Sequence, residues 1–253
     1  MKDKTLTPED LARKGLTSLQ KMADPARARQ SQRYFKEEAR FYGITSADAR
    51  TLARNLYEEV KKDWTPDEAL RLCEILLPHP YHDARALGIL ILSRYKKSLA
   101  EDVFERIHGW LSGNYLDNWA LVDVTCPDLV GALLEKYPGL VDRIKAWALS
   151  DNRWVRRASL VSFIKLAKKM EFRDAVYQIS ASLFSDRDDL IQKANGWLLR
   201  EAGKGDAKRL ERFLLDNGPV IPRTTLRYAI ERFEDKKRKG ILEKTRLRSG
   251  RPS

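Results

Sequence analysis

Residues 153–160 read RWVRRASL, and two related octets occur elsewhere, HDARALGI at 82–89 and DLIQKANG at 189–196. Each octet places a basic residue before an alanine and then small or apolar residues, and the basic positions are Arg85, Arg157 and Lys193. Their separations are multiples of about 36 residues, a period typical of repeats built from two helices. The octets therefore predict an α-solenoid in which equivalent helices stack side by side.

Helix-start signals recur along the chain, whereas no segment alternates apolar and polar residues for long. Thr7-Pro8-Glu9-Asp10 and Thr65-Pro66-Asp67-Glu68 each combine an N-cap threonine, a proline at the first helical position and acids in the first turn. No tetratricopeptide signature accompanies the repeat. The predicted fold is all-α, a curved α-solenoid of HEAT-like helix pairs with a basic concave groove.

The charge balance indicates a polyanionic partner. The 253-residue chain carries 48 Lys and Arg against 36 Asp and Glu, a net charge of +12. Residues 234–253 hold eight basic residues and three acids, so most of the excess belongs to the body of the protein. We expect one domain over 1–235, followed by a basic tail over 236–253 that can be disordered. Nucleic acid is the first candidate partner.

Several protein classes are disfavoured by composition. No apolar run approaches the ~20 residues of a membrane helix, and the N-terminus lacks the apolar stretch of a secretory signal. The two cysteines, Cys73 and Cys126, lie in apolar helical segments, which indicates reduced, buried thiols and a cytoplasmic protein. His79 and His82, with Cys73 nearby, lack a fourth ligand and a helical scaffold for a metal site. A P-loop and a GxGxxG motif are both absent, so no cofactor is expected.

The stretch 117–123, DNWALVD, combines an apolar helix with two unusual side chains. Trp119 and Asp123 are four residues apart and so share one helix face. They can be a core anchor and an ordinary surface acid, or an acid placed beside an indole for chemistry. Pro127 follows closely and predicts that this helix ends or kinks near Cys126.

The repeat gives these side chains a common setting. One period before Arg157 falls inside the 117–123 stretch, and Trp197 lies one turn after Lys193. Equivalent helices of a solenoid line one wall, so Arg85, Arg157 and Lys193 are expected to point into or beside one groove and to bind phosphates. The alternative is that these basic residues form a solvated face.

Four motifs together resemble a known family: NWALVD at 118–123, WVRR at 154–157, LIQKANGWLLREAGK at 190–204 and IPRTTLRYAI at 221–230. Their order and spacing are similar to those of the HEAT-like-repeat DNA alkylation repair enzymes, the AlkD-type alkylpurine DNA glycosylases. The resemblance covers roughly residues 30–235.

The resemblance implies a monomeric, monofunctional hydrolase that binds duplex DNA and cleaves the N-glycosidic bond of cationic N3- or N7-alkylated purines without flipping the base. It implies Asp123 as the catalytic carboxylate, Trp119 and Trp197 as aromatic walls around the deoxyribose, and Arg157 at a backbone phosphate. It also implies a role in base excision repair in a bacterial or archaeal cytosol.

The residue types agree with that chemistry. An alkylated purine leaves as a neutral base and needs little protonation, so one carboxylate suffices to stabilise the sugar cation and orient water. Flanking indoles add cation–π attraction. The alternative is a non-catalytic solenoid that binds DNA or structured RNA by charge and shape. A protein–protein scaffold would explain the repeats but not the basic charge.

Overall fold

A computed structural model describes residues 6–246, and within that range the chain is helical. The described residues contain no strand, and their only β-type pairing is an isolated bridge between Arg40 and Tyr81. The predicted all-α class is therefore confirmed, and the arrangement of helices is consistent with an α-solenoid. The curvature and the basic groove stay predictions.

The chain divides into two compact units, the first ending at Lys136 and the second beginning at Tyr137. The helices of the first unit are α1 Pro8–Lys21, α2 Pro25–Gln32, α3 Ser46–Val60, α4 Pro66–Leu76, α5 His82–Leu92, α6 Val103–Ser112, α7 Trp119–Thr125 and α8 Gly131–Lys136. Those of the second unit are α9 Val141–Trp147, α10 Arg153–Val161, α11 Arg173–Ser182, α12 Asp189–Gly203, α13 Ala207–Asp216, α14 Arg223–Ala229 and α15 Asp235–Lys244. The sequence analysis, by contrast, expects a single domain over residues 1–235.

The helix-start signals act as predicted. The hydroxyl of Thr7 accepts a hydrogen bond from the backbone N–H of Asp10, whose carboxylate accepts in return from the backbone of Thr7. Thr65 and Glu68 form the same reciprocal pair at the start of α4. Each pair satisfies N–H groups that have no partner within the helix.

Helices related by the repeat are neighbours within each unit. In the first unit α5 packs against α3 and α7, and in the second unit α12 packs against α10 and α14. The basic residues of the octets lie on α5, α10 and α12. The recurrence in the sequence therefore marks neighbours within each unit, α10 with α12 in the second and α5 with α7, the helix one period later, in the first.

The core of each unit is apolar and includes the residues that the sequence assigns to it. Trp64 and Trp110 are buried in the first unit, and Trp147 is buried in the second. Cys73 and Cys126 are buried and unbridged, as predicted. No helix within residues 6–246 is long and apolar enough to cross a lipid bilayer.

The basic tail is not wholly irregular, because its first part forms α15. Arg223 donates hydrogen bonds from its guanidinium to the Thr245 hydroxyl at 3.1 Å and to the Leu242 carbonyl at 3.1 Å. These contacts fix the end of α15 on α14. The helix α15 spans Asp235–Lys244, and the tail beyond residue 246 lies outside the described residues.

Gly196 allows α12 to pack closely against α14 in the second unit. A Cβ atom at this position would lie 2.4 Å from the Tyr228 Cβ and 2.6 Å from the Thr225 carbonyl oxygen. The Thr225 hydroxyl donates to the Gln192 carbonyl at 3.0 Å and so joins α14 to α12. Without a glycine, α12 and α14 would have to move apart.

We predict that Gly196→Ala lowers the free energy of unfolding by about 1–3 kcal/mol, the usual cost of overpacking. Gly240→Ala is the control, since a Cβ there meets no atom within 4 Å. On α15 this change should be neutral or stabilise by up to about 1 kcal/mol. Urea unfolding of both variants measures the difference, and equal midpoints would contradict the packing argument.

Candidate functional site

The short helix α7 presents a half-exposed face that carries Trp119 and Asp123. Its other face is buried through Leu121, Val122 and Thr125. Trp119 and Asp123 are both partly exposed, one turn apart on the same side, as the spacing predicts. The unit thus holds an indole and a carboxylate side by side at its surface.

A proline sets the end of α7. The helix stops at Thr125 and continues as a π-helical turn, Cys126–Val130, that contains Pro127. Because proline has no N–H and its ring crowds the carbonyl four residues earlier, a regular α-helix cannot pass through it. The predicted end or kink near Cys126 is confirmed, and π turns often accompany functional sites.

The N-terminus of α7 is fixed by a chain of polar contacts. The Asn118 side-chain oxygen accepts from the Leu121 N–H at 3.0 Å, and its amide donates to Asp117 Oδ1 at 3.0 Å. Arg85 donates to the same Asp117 oxygen at 2.9 Å and to the Tyr115 carbonyl at 3.3 Å. Arg85 therefore joins α5 to the start of the helix that carries Asp123.

Trp119 is supported by an aromatic cluster. Its ring stacks on Phe35, with centroids 5.1 Å apart and an interplanar angle of 14°. Phe35 and His82 also contact Phe41, with centroids 5.1 Å away in each case. One face of the indole is thus covered, and its orientation is set by residues far away in sequence.

The phenylalanines lie on the loop between α2 and α3, which is itself anchored. Gln32 bonds the backbone of this loop at Glu37 and Ala39. The buried carboxylate of Asp83 accepts from the N–H groups of Tyr42 and Ile44 at 2.7 and 3.1 Å. Sequence reasoning missed this loop, because its local signals are two pairs of aromatic residues, Tyr34-Phe35 and Phe41-Tyr42, without helical or strand periodicity.

In the second unit, Arg157 makes the same kind of contact as Arg85. It lies on α10, is 5 % exposed, and donates to the Leu190 carbonyl in the first turn of α12. Arg85 is 8 % exposed. Both guanidiniums are buried and bonded inside the fold, and a contact of either with phosphate stays a prediction. Their repeated position reflects a contact to the next helix of the same register.

Lys193 and Trp197 on α12 are both partly exposed. The Lys193 amine pairs with Asp189 on its own helix at 2.7 Å, and this hydrogen bond raises the pKa of Lys193. Beside them, the buried Asn195 amide exchanges hydrogen bonds with Ser180 and so packs α12 on α11. Asp123 and Trp119 thus belong to the first unit, and Arg157, Lys193 and Trp197 to the second.

A model of the family described as DNA alkylation repair enzyme matches residues 16–233. The chain belongs to this family. The match includes α7, α10 and α12, the helices on which the candidate residues lie. No curated protein matches the sequence.

A solved structure has the same fold. It is a protein from Enterococcus faecalis described as a predicted DNA alkylation repair enzyme. The two chains are 19% identical, superpose with a TM-score of 0.72, and the match covers 84% of this chain and 97% of that one. Membership of the DNA alkylation repair family thus agrees with the fold.

The hydrogen bonds that join Arg85 to the start of α7 lead to a testable prediction. Arg85→Ala should lower the free energy of unfolding by about 1.5–3 kcal/mol, the usual worth of hydrogen bonds to charged groups. The salt dependence of duplex binding should not change, whereas removal of a phosphate-binding cation would reduce the log–log slope by about 0.9.

Arg40→Ala is the matched control, since Arg40 lines the same surface cleft as Arg85 but is exposed. Its effect on stability should stay within about 0.5 kcal/mol. Equal stability of the two variants, with a shallower salt slope for Arg85→Ala alone, would restore the phosphate role of Arg85.

The aromatic cluster makes a second prediction, on pH. Burial and then the neighbouring Arg85 lower the pKa of His82 to about 4, against an opposing effect of Asp117. Between about pH 6.5 and 4 the unfolded chain binds a proton that the folded protein excludes. The contribution of His82 to the free energy of unfolding is therefore complete above about pH 6.5. It is lost as the pH falls through that window, by at most about 3 kcal/mol.

Urea unfolding at several pH values, compared with His82→Gln, isolates this contribution. The variant lacks the titrating group, so its stability should fall less between pH 6.5 and 4. Parallel pH profiles for the two proteins would show that His82 does not titrate in this way.

Proposed function

We propose that the protein hydrolyses the N-glycosidic bond of positively charged N3- or N7-alkylated purines in duplex DNA. The observation that carries the proposal is the face of α7, where Trp119 and Asp123 lie partly exposed one turn apart on a helix whose opposite face is buried. Membership of the DNA alkylation repair family supports DNA as the substrate.

The reaction needs only one carboxylate. The alkylated purine is already cationic and departs as a neutral base, so no general acid is required for the leaving group. Asp123 would stabilise the positive charge that develops on the deoxyribose, and it would orient or deprotonate the attacking water. The products are the free base and an abasic sugar.

The indoles would act on the sugar. Trp119 has one face covered by Phe35, so its remaining surface would face the deoxyribose. Trp197 lies in the second unit, and the resemblance to the family gives it the same role. An aromatic face attracts the developing cation and excludes water. Arg157 is bonded to Leu190, and we assign it to positioning α12; Lys193 keeps a partly exposed amine for phosphate contact.

We further propose that the damaged base need not leave the duplex. A protein that flips a base reads it in a closed pocket, whereas the residues proposed here surround the sugar. Selectivity would then depend on the charge of the lesion, because cationic purines have a weakened glycosidic bond. The alternative, a solenoid that binds DNA without catalysis, predicts binding with no release of base.

The test is Asp123→Asn, assayed by release of free purine from methylated duplex DNA. Removal of one preorganised charge should slow excision roughly 100- to 1000-fold, while duplex affinity persists. Asp128→Asn is the control, since it removes the same charge from the adjacent π turn, where Asp128 pairs with Lys96. Its excision rate should stay within a few-fold of the wild type. Unchanged excision by folded Asp123→Asn would place the chemistry elsewhere, and no excision by the wild type would favour the non-catalytic alternative.

A further inference from the structure

The second unit contains a cleft of about 520 Å³ that the proposed chemistry does not use. It is bounded by the segment before α12, the segment before α14 and the end of α15. Three guanidiniums line it, those of Arg187, Arg223 and Arg246. Its apolar lining includes Val220, which is 64% exposed, and the buried Ile221.

These three arginines differ from most others in the unit. Six arginines of the second unit are paired with carboxylates: Arg153, Arg156, Arg173, Arg200, Arg209 and Arg238. By contrast, Arg187, Arg223 and Arg246 form no ion pair with any carboxylate between residues 6 and 246. The cleft therefore concentrates positive charge that the fold leaves without a counter-charge.

The acid that lines the cleft does not neutralise it. Asp186 accepts from the Arg156 Nε at 2.7 Å and, through its other oxygen, from the Asp188 N–H at 2.8 Å. Its charge is thus already matched by Arg156. Burial, and then the charges of Arg246 and Arg227, lower the pKa of Arg223, as expected where guanidiniums crowd together.

We propose that this cleft binds a backbone phosphate of a DNA strand. Arginine forks match phosphate oxygens in geometry and charge, and the exposed apolar surface of Val220 suits the adjoining deoxyribose. The contact would be independent of sequence, since it reaches no base edge. It rests on the proposed function only in taking DNA as the partner, and it requires no catalysis.

The experiment measures affinity for undamaged duplex over a range of salt concentrations. The variant is Arg187→Gln with Arg246→Gln, because both side chains are exposed. Arg223 is kept, since its hydrogen bonds hold α15. The log–log slope should become shallower by about 0.9 for each phosphate that the variant no longer binds, and affinity at low salt should fall.

The matched control is Lys208→Gln with Arg212→Gln, which removes the same charge from the exposed side of α13. Its slope should equal that of the wild type. A further double variant, Arg187→Lys with Arg246→Lys, keeps the charge and should keep the slope while weakening affinity, since lysine lacks the fork. Thermal unfolding followed by circular dichroism confirms that each variant is folded.

Titration of the wild type and the Gln variant with inorganic phosphate distinguishes a strand from a small free anion. Saturable phosphate binding that disappears in the Gln variant, together with an unchanged duplex slope, would overturn the assignment to DNA. An equal change of slope in the cleft and control variants would also overturn it. Base release, assayed separately, tests the proposed function, so either idea can fail while the other stands.

Discussion

A buried guanidinium needs acceptors inside the fold, and this requirement fixes the helices that carry the proposed chemistry. In the first unit Arg85 reaches the Tyr115 carbonyl and the Asp117 carboxylate, directly before α7. In the second unit Arg157 reaches the Leu190 carbonyl at the start of α12. Breaking either contact would leave a charge buried without its partner, which is costly. Each arginine thereby positions the next helix of the register, and those helices bear Asp123 and Trp197.

Cations that pair with carboxylates of the fold differ from cations that can attract an external polyanion. Many cations of the described chain are balanced by carboxylates of the fold, such as Arg156 by Asp186 and Lys96 by Asp128. Such ion pairs add little attraction for a distant polyanion, because the fields of the two charges largely cancel. The net charge of +12 therefore acts outward mainly where arginines stand without such pairs, as they do around the cleft that includes Arg223.

The sequence predicts what is local and periodic. Thr7 and Thr65 start helices because capping depends on the next three residues, and Pro127 ends α7 by its own geometry. The shared face of Trp119 and Asp123 follows from their spacing. The phosphate role of Arg85 stays a prediction, because in the sequence a periodic charge looks the same whether it faces solvent or pairs with Asp117, 32 residues along the chain. The stacking of Phe35 on Trp119 was missed because it depends on a loop without periodicity.

That loop shows how distant contacts decide an irregular segment. Gly43 adopts a positive φ of 84°, and a Cβ there would lie 2.3 Å from the Asp24 carbonyl oxygen. Asp83 then holds the backbone on either side of Gly43 against α5. The contacts join α2, the loop and α5, and together they place Phe35. Asp24 and Asp83, which contact this loop, both lie outside residues 33–45.

The π turn at Cys126–Val130 places a constraint on chain length. Each residue of an α-helix advances the direction of its side chains by about 100°, and a π turn holds one residue more than an α turn. If the π turn kept its geometry, deleting one residue there would rotate α7 by that angle relative to α8. Each side chain of α7 would then take the direction of the next residue, so Val122 would turn toward solvent and Ala120 toward the core. Substitutions in the π turn should therefore be tolerated more readily than a deletion that shortens it.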